Sequence, residues 1–435
     1  MIQNRAAWER GRTVGRYIIN GGKPLRGLMD VHGAKNSALP IMAACLLSQG
    51  VCTIGNVPAL SDVEIMAEIL ECSGAKASYA EGVLRIDSSC LADGEIPEPL
   101  MRKMRSSFIV VGPLLARLGR VKVTYPGGCA IGTRAIDLHL KGLARLGVTV
   151  RESYGSIEFV AKQLQGANIY LDYPSVGATE NIMMAAVTAK GTTIISNAAR
   201  EPEIVDLQNF LNRLGAKIAG AGTDQIRVDG VEELGSATYD IIPDRIVAGT
   251  LLVAAAATGG TITLQKVIPE HLTLATGKLV EMGAWIETGE NWITVTGPER
   301  LGPVDKITTA PHPGFPTDMQ PFFMAALAVA DGVSIVTEMV FDGRFKHVDE
   351  LRRMGANISI DNRAAIIRGV PELTGALVEA TDLRAGAALT VAGLIAQGTT
   401  IIDCIEHVDR GYVSLEEQLR SLGADIRRTE GGVCS

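Results

Sequence analysis

The sequence has few aromatic residues and no excess of positive charge. Phe, Trp and Tyr make up only 4% of its 435 residues, so the core has to be built from aliphatic side chains and alanine. These are plentiful, because 47% of the residues are hydrophobic. The formal net charge of −7 argues against a protein that binds nucleic acid or an anionic membrane through bulk charge. We therefore expect no nucleic-acid partner.

Several other features are missing, and each absence excludes a class of protein. The longest apolar stretch, residues 246–260, is too short and too interrupted by Gly and Thr to cross a bilayer. The N-terminal segment lacks the apolar core of a signal peptide. The seven cysteines form no C-x-x-C pair, which indicates a reducing compartment rather than a disulfide framework. The six histidines have no metal-ligand spacing. We expect a cytoplasmic protein without a membrane span, a metal or another cofactor.

Glycine is abundant, and its positions reveal an internal repeat. A phrase of Leu, Met or Ser followed by Gly-Ala or Gly-Val recurs six times, each time at the end of a helical pattern. The copies are 68 to 73 residues apart, and a second phrase, an apolar helix that ends in Gly before a β-branched strand, recurs at intervals of 66 to 72 residues. The glycines of the two phrases are Gly74, Gly147, Gly215, Gly283, Gly355 and Gly423, and Gly50, Gly119, Gly191, Gly260, Gly332 and Gly398. Two markers with one period predict six structural units.

Each unit reads as helix, strand, helix, strand, strand. The first helix, as in residues 38–47 and 246–257, is apolar nearly all round and should be buried on every side. The second helix, as in residues 413–422, is amphipathic and should face water. The glycine of the Gly-Ala phrase predicts a left-handed C-terminal helix cap. The sixth copy lacks the last two strands, and the residues before the first copy offer two candidate strands, so we expect the N-terminus to complete the last repeat.

Six such units predict an α/β fold with two domains, residues 35–242 and residues 1–34 plus 243–435, each with three repeats around a pseudo-threefold axis. The chain then crosses between the domains twice, and we expect a cleft at the crossings. The starts of the first helices carry capping or charged residues, namely Asn36, Ser106, Thr179, Asp244, Asp318 and Asp382. Free N–H groups there would attract anions, although many of these residues can be ordinary N-caps.

Lysine at a helix N-terminus opposes the helix dipole. The segment G-A-K-N places Lys35 there, and M-R-K-M-R-S-S places Arg105 at the start of a later helix. A bound anion would reverse the unfavourable sign, whereas a solvated surface position is the alternative for Lys35.

One cysteine lies in an unusual context. Cys129 follows a Pro and two glycines in Y-P-G-G-C-A-I-G-T-R, which indicates an exposed loop, and Arg134 lies five residues further on. A nearby guanidinium would favour the reactive thiolate, although a small residue in a turn is the alternative. The other cysteines read as small apolar fillers or, for the last, as part of a frayed end; they are Cys45, Cys52, Cys72, Cys90, Cys404 and Cys434.

Three further segments bring charged groups. F-P-T-D-M-Q places Asp318 at the start of a buried helix, as an N-cap or as a base that faces the cleft. A-T-D-L-R and H-V-D-R-G-Y add Arg384 and Arg410.

These motifs together resemble a known family. The segments that carry the resemblance are G-A-K-N-x-A-L-P, P-G-G-C-A-I-G-x-R, D-L-H, S-V-G-A-T, A-A-R-E-P-E-I-V-D, P-D-R, F-P-T-D-M-Q, R-F-x-H-V, T-D-L-R and D-R-G-Y. The family is that of the UDP-N-acetylglucosamine enolpyruvyl transferases, and the match covers nearly the whole chain. The resemblance implies a two-domain inside-out α/β barrel. It also implies transfer of enolpyruvyl from phosphoenolpyruvate to the 3′-hydroxyl of UDP-N-acetylglucosamine, with release of phosphate, as the first committed step of peptidoglycan synthesis.

The resemblance also implies residue roles. Cys129 would donate a proton to the methylene carbon of phosphoenolpyruvate, could form a covalent adduct with it and would be alkylated by fosfomycin. Asp318 would contact the sugar 3′-hydroxyl and act as its base. Lys35, Arg134 and Arg410 would hold phosphate and carboxylate. Residues expected to contact the substrates or line the nucleotide-sugar site are Asn36, Arg105, Asp137, Leu138, Ser175, Val176 and Val340, with Arg384, Asp382, Asp244 and Arg344 as further candidates.

The sequence departs from the family pattern at Ala135 and Tyr173, which puts sugar-nucleotide contacts at those two positions in doubt. Two alternatives stay open. One is a shikimate-type enolpyruvyl transferase on the same fold, against which the cysteine loop and G-A-K-N argue. The other is a non-catalytic protein that binds a nucleotide sugar and regulates wall synthesis.

Overall fold

The computed structural model of the chain describes residues 15–92, 94–127 and 136–431. Its strands are β1 (Gly15–Asn20), β2 (Arg26–Asp30), β3 (Val51–Gly55), β4 (Lys76–Ala80), β5 (Val83–Asp87), β6 (Arg120–Thr124), β7 (Thr149–Ser153), β8 (Ser156–Val160), β9 (Asn168–Tyr170), β10 (Thr192–Ser196), β11 (Lys217–Ala219), β12 (Gln225–Asp229), β13 (Thr238–Asp240), β14 (Thr261–Gln265), β15 (Trp285–Thr288), β16 (Trp292–Thr296), β17 (Lys306–Thr308), β18 (Val333–Thr337), β19 (Asn357–Asp361), β20 (Ala364–Arg368), β21 (Leu377–Glu379), β22 (Thr399–Asp403) and β23 (Asp425–Glu430).

The α-helices are α1 (Lys35–Ala44), α2 (Ser61–Cys72), α3 (Glu98–Lys103), α4 (Val111–Leu118), α5 (Asp137–Arg145), α6 (Val176–Ala186), α7 (Pro202–Leu214), α8 (Arg245–Ala257), α9 (Thr273–Glu281), α10 (Gln320–Leu327), α11 (His347–Arg353), α12 (Leu383–Ile395) and α13 (Leu415–Ser421). Short 3-10 turns cover Cys45–Leu47, Arg105–Val110, Pro269–Leu272 and Ile405–Arg410. None of the helices in the described ranges is long and apolar enough to cross a membrane.

The described residues fall into two compact units. The first unit holds residues 33–92, 94–127 and 136–242, and the second unit holds residues 15–32 and 243–431. Each unit contains three β-sheets.

The sheets of both units share one pattern. In the first unit, the strand orders are β13-β3-β5-β4, β11-β12-β10-β9 and β6-β8-β7. In the two four-stranded sheets, a parallel edge strand pairs with the strand that follows a buried helix, and two antiparallel strands complete the sheet. In the three-stranded sheet, a parallel bridge from Glu95 to Lys122 stands in place of the edge strand.

In the second unit, the strand orders are β21-β22-β1-β23, β15-β16-β14-β2 and β17-β18-β20-β19. The N-terminal strand β1 lies between β22 and β23, with Ile18 opposite Ile401 on one side and Arg427 on the other. The next strand, β2, instead forms the parallel edge beside β14. The sheet of the last repeat is therefore built from the two ends of the described chain.

The predicted burial of the first helices is confirmed. Every residue of α10 is buried, as are all but one residue of α1 and of α8. Because apolar residues cover all sides of these helices, they form the interior of each unit while the sheets lie outside them. The predicted glycine caps are confirmed as well, since the six Gly-Ala or Gly-Val glycines have φ values between 89° and 110°. The fold is the two-domain inside-out α/β architecture that the family resemblance implies, and it agrees with the predicted repeat.

Three sequence interpretations are wrong. Thr179 does not begin a helix, because α6 starts at Val176 and the side chain of Ser175 caps it by accepting a hydrogen bond from the N–H of Ala178. Asp318 is not an N-cap, since Met319 occupies that position of α10. Among the expected apolar fillers, Cys45 and Cys52 are buried but Cys72 and Cys90 are exposed.

Cys404 is disulfide-bonded, a pairing that the cysteine spacing did not predict. Cys434, expected to belong to a frayed end, lies outside the described residues.

Candidate functional site

In the first unit, the buried amine of Lys35 is paired with a carboxylate. Lys35 begins α1, and its Nζ lies 3.1 Å from Oδ2 of Asp62, which is 2% exposed in α2. The opposing helix dipole that the sequence left uncompensated is thus partly offset by a counter-charge 27 residues away in the chain. Asn36 follows in the first turn of the same helix. An anion that binds this lysine therefore has to compete with Asp62.

Three of the predicted nucleotide-sugar segments meet in the first unit. Arg105 begins the 3-10 turn that contains Phe108, Asp137 begins α5, and Ser175 caps α6. The rings of Phe108 and His139 lie 5.1 Å apart in an edge-to-face contact. This contact joins the 3-10 turn to α5, and a hydrogen-bonded residue of α6 completes the junction. The predicted residues that follow there are Leu138 in α5 and Val176 in α6.

Asn181 holds this junction together. Its buried amide donates hydrogen bonds to the carbonyl oxygen of Phe108, over 3.1 Å, and to Nδ1 of His139, also over 3.1 Å. Its Oδ1 accepts a hydrogen bond from the N–H of Gly112. Desolvation, together with the positive charge of Arg105, lowers the pKa of the half-buried His139 to about 3. His139 is therefore neutral at pH 7 and can accept the amide hydrogen bond.

In the second unit, one carboxylate is shared by two arginines. The Oδ1 of Asp318 lies 2.7 Å from Nη2 of Arg344, and its Oδ2 lies 2.9 Å from Nη2 of Arg384. Burial would raise the pKa of Asp318, but the two guanidinium charges hold that pKa well below its usual range. Asp318 is consequently ionised at neutral pH. We call Asp318, Arg344 and Arg384 the Asp318 cluster.

Two nitrogens of the Arg344 guanidinium form no hydrogen bond within the described residues. Its side chain is 2% exposed, yet within the described residues its Nε and Nη1 have no hydrogen-bond partner. Its guanidinium carbon also lies 5.4 Å from the ring centroid of Phe341. Buried N–H groups without partners are costly, so this guanidinium is suited to bind an anionic group.

The Tyr412 hydroxyl connects the Asp318 cluster to helix α8. It lies 2.8 Å from Oγ1 of Thr250 and accepts a hydrogen bond from Nη1 of Arg384 over 3.3 Å. The hydroxyl of Thr250 donates to the carbonyl oxygen of Ile246 in α8, so the Tyr412 hydroxyl is the donor toward Thr250. This chain of buried hydroxyl groups fixes the direction of the Arg384 side chain.

The remaining predicted residues of the second unit lie at element ends. Asp244 and Asp382 are N-caps: Asp244 accepts hydrogen bonds from Ile246 and Val247 in α8, and Asp382 accepts them from the N–H groups of Arg384 and Ala385 in α12. Arg410 ends the 3-10 turn Ile405–Arg410 and is half-buried. Val340 is half-buried in the loop after β18. The two aspartates therefore have a structural role that needs no ligand.

The structure thus brings Asp318 together with Arg344 and Arg384, and it joins the Arg105, Asp137 and Ser175 segments. Cys129, Arg134 and Ala135 lie outside the described residues. Sequence reasoning missed Asp62 and Asn181, which belong to no motif and show their role only through contacts across the fold. Within the described ranges, no group of three or more His, Cys, Asp or Glu residues is arranged to hold a metal ion.

The chain is similar to known proteins over almost its entire length. The family model of EPSP synthase (3-phosphoshikimate 1-carboxyvinyltransferase) matches residues 19–419. UDP-N-acetylglucosamine 1-carboxyvinyltransferase 2 of Caldanaerobacter subterraneus is 54% identical over 95% of this chain and 100% of the relative. UDP-N-acetylglucosamine 1-carboxyvinyltransferase 1 of Symbiobacterium thermophilum is 55% identical over 95% of each chain.

Solved structures share the fold. The enolpyruvyl transferase NikO of Streptomyces tendae superposes with a TM-score of 0.87 at 28% identity, over 97% of this chain and 100% of the other. EPSP synthase of Acinetobacter baumannii gives a TM-score of 0.75 at 20% identity, over 96% of this chain and 100% of the other. The resemblance in the motifs is therefore confirmed over the whole fold, and the chain belongs to the family of UDP-N-acetylglucosamine 1-carboxyvinyltransferases, within the wider group of enolpyruvyl transferases.

Proposed function

We propose that this chain transfers the enolpyruvyl group of phosphoenolpyruvate to the 3′-hydroxyl of UDP-N-acetylglucosamine and releases phosphate, as the first committed step of peptidoglycan synthesis. The observation that carries the proposal is the identity of 54–55%, over 95% of the chain, with UDP-N-acetylglucosamine 1-carboxyvinyltransferases. The reaction takes place among cytoplasmic metabolites, so we also propose a cytoplasmic location. The two compact units would be the two domains, 35–242 and 1–34 plus 243–435.

The reaction is an addition followed by an elimination. A proton adds to the methylene carbon of phosphoenolpyruvate, and the sugar oxygen attacks the neighbouring carbon while it loses its own proton. The tetrahedral adduct then loses a proton from its methyl group and expels phosphate, which restores the double bond. We assign the proton donation to Cys129. Acid and base thus act on opposite partners.

The Asp318 cluster suits the acceptor side of this reaction. The Asp318 carboxylate can accept a hydrogen bond from the sugar 3′-hydroxyl, but two arginine charges make it a weak base. If Arg344 or Arg384 turns its N–H groups to the carboxylate of phosphoenolpyruvate, that restraint is relaxed and Asp318 becomes more basic. The spare N–H groups of Arg344 support this exchange. In this scheme, binding of one substrate activates the base for the other.

Phosphate needs positive charge as it leaves. We assign this role to Lys35, Arg134 and Arg410, with Asn36 beside Lys35. Lys35 would then exchange part of its pairing with Asp62 for the phosphate. The residues we assign to the nucleotide-sugar site are Arg105, Asp137, Leu138, Ser175, Val176 and Val340. For the five residues of the first unit, the support is the junction at Asn181, where their three segments meet.

The test is phosphate release from phosphoenolpyruvate. We expect turnover with UDP-N-acetylglucosamine and none with shikimate 3-phosphate. Cys129→Ala should lose or severely reduce activity, whereas Cys90→Ala, at an exposed cysteine, should retain it. Fosfomycin should inactivate the native chain and the Cys90 variant alike. Turnover with shikimate 3-phosphate alone would support the shikimate-type alternative, and binding of the sugar nucleotide without turnover would support the regulatory one.

A further inference from the structure

Glu338 is a buried carboxylate that no motif singles out. It follows the last residue of β18 and is 1% exposed. It accepts four hydrogen bonds, two of them from threonine hydroxyl groups and two from backbone N–H groups. A carboxylate is an acceptor with room for about four donors, so these contacts saturate it. Hydrogen bonds to a charged acceptor are stronger than neutral ones, so Glu338 firmly fixes the groups that donate to it.

The two oxygens of Glu338 serve different segments. Oε1 accepts hydrogen bonds from the N–H groups of Val340, over 2.8 Å, and Phe341, over 3.0 Å, and from Oγ1 of Thr309, over 2.8 Å. Thr309 in turn accepts a hydrogen bond from the N–H of Met339, over 2.9 Å. Together these four contacts fix the backbone of residues 339–341, which includes the predicted sugar-site residue Val340.

The other oxygen reaches the segment of the proposed base. Oε2 of Glu338 accepts a hydrogen bond from Oγ1 of Thr317 over 3.0 Å. Thr317 directly precedes Asp318, whose carboxylate lies within 2.9 Å of Arg344 and Arg384. The position of Asp318 is therefore determined from one side by the arginines and from the other by Glu338.

We infer that Glu338 is a positioning residue that sets two parts of the active centre separately: the loop of Val340 through Oε1, and Asp318 through Oε2. The inference rests on the proposed function, because it assigns Val340 to nucleotide-sugar binding and Asp318 to the chemical step. The two carboxylate oxygens of Glu338 accept hydrogen bonds from different threonines. A single near-isosteric substitution of one threonine therefore removes one of these hydrogen bonds and leaves the other in place.

Loss of either threonine hydrogen bond to Glu338 should have a different kinetic effect. Thr317→Val removes the hydroxyl that holds the residue before Asp318, so kcat should fall about ten-fold while the KM for UDP-N-acetylglucosamine changes less than two-fold. Thr309→Val removes one donor to Glu338 and the acceptor for Met339, so this KM should rise about five-fold while kcat stays within two-fold. Calorimetric binding of UDP-N-acetylglucosamine should weaken only in the Thr309 variant.

Conservative variants and a matched control separate positioning from general loosening. Thr317→Ser and Thr309→Ser keep the hydroxyl and should restore most of the native values. Thr263→Val, at a threonine paired with Thr294 across β14 and β16, should change neither constant. If both valine variants lower kcat and raise KM by the same factors, Glu338 merely stabilises the unit and the inference is overturned. If neither valine variant differs from the native chain, it is equally overturned.

The failure of this inference is distinguishable from failure of the proposed function. A native chain that releases no phosphate with both substrates overturns the proposed function, and the inference with it. A native chain that is active, with two valine variants of one shared pattern, overturns the inference alone.

Discussion

In the first unit, the ammonium of Lys35 pairs with the carboxylate of Asp62, whereas in the second unit the carboxylate of Asp318 is shared by the guanidiniums of Arg344 and Arg384. The first ion pair joins one cation to one anion, and in the second two cations share one anion. The ion pair with Asp62 holds Lys35 in place, and an anion that binds this lysine has to compete with that carboxylate. The Asp318 cluster is better suited to bind an anion, because Nε and Nη1 of Arg344 have no hydrogen-bond partner in the part of the chain that the structure describes.

The largest effect should come from removing the shared carboxylate. Asp318→Asn keeps the shape of the side chain but leaves the two arginines without their counter-charge, and it removes the proposed base. We expect kcat to fall about a thousand-fold, as for loss of a general base. Steady-state kinetics would measure this. Asp305→Asn, at an exposed aspartate of the same unit, is the matched control and should be neutral. A fall of less than ten-fold would remove Asp318 from the chemical step.

The difference in charge balance should also appear in stability. Lys35→Met leaves Asp62 buried without its ammonium, which should cost about 3 kcal/mol in the free energy of unfolding. Arg344→Met should cost only about 1 kcal/mol, because Asp318 keeps Arg384 at 2.9 Å. Urea unfolding of both variants measures the costs. Equal losses of unfolding free energy, or a larger loss for Arg344→Met, would show that the second cation at Asp318 does not protect the second unit.

The two units can also be compared through the dependence of their unfolding free energy on pH. Burial lowers the pKa of His347 to about 4, with Asp382 opposing this shift and Arg344 adding to it. Because the folded pKa is depressed, the unfolded chain binds the proton first as pH falls. The stabilisation is complete above about pH 6.5 and is lost by about pH 4, a difference of about 3 kcal/mol.

His347→Gln should therefore flatten the dependence of unfolding free energy on pH between these values. His139→Gln in the first unit should flatten it as well, over a range that extends to about pH 3, because burial lowers the pKa of His139 to about 3. Urea unfolding at several pH values provides the measurement. An unchanged slope in the His347 variant would mean that the pKa of this histidine is the same in the folded and the unfolded chain.

The smallest effect should come from removing the Tyr412 hydroxyl, which is hydrogen-bonded to Arg384 of the Asp318 cluster. Tyr412→Phe removes the hydroxyl that accepts a hydrogen bond from Arg384 and leaves the ring in place. We expect a loss of about 1 kcal/mol in stability and a few-fold decrease in kcat. Kinetics and urea unfolding of this variant would show both. A decrease as large as that of Asp318→Asn would give Tyr412 a direct part in the reaction.

Sequence reasoning succeeded where a signal recurs along the chain. The six glycine caps and the buried first helices follow from periodicity, which needs only local information. It was wrong at Thr179, where Ser175, four residues earlier, supplies the cap of α6. Both residues are acceptable N-caps, and only the backbone decides between them.

The candidate site was predictable as a set of motifs but not as a set of pairs. Asp318 and Arg384 each stood in a recognisable phrase, yet the 66 residues between them hide their ion pair. Asp62, Asn181 and Glu338 carried no signal, because a buried Asp, Asn or Glu looks the same in sequence as an exposed one. Their roles depend on which donors the fold brings within hydrogen-bond distance.

The strand β1 has a consequence for synthesis on the ribosome. It pairs with β22 and β23, so Arg16 meets Asp403 across 387 residues of chain. Residues 33–242, by contrast, are nearly complete in themselves and can begin to fold while translation continues. Strand β1 must wait, unpaired, for β22 and β23 to be synthesised, and such a long-range closure is slow. Chaperones that shield exposed strand edges would matter most to this half of the molecule.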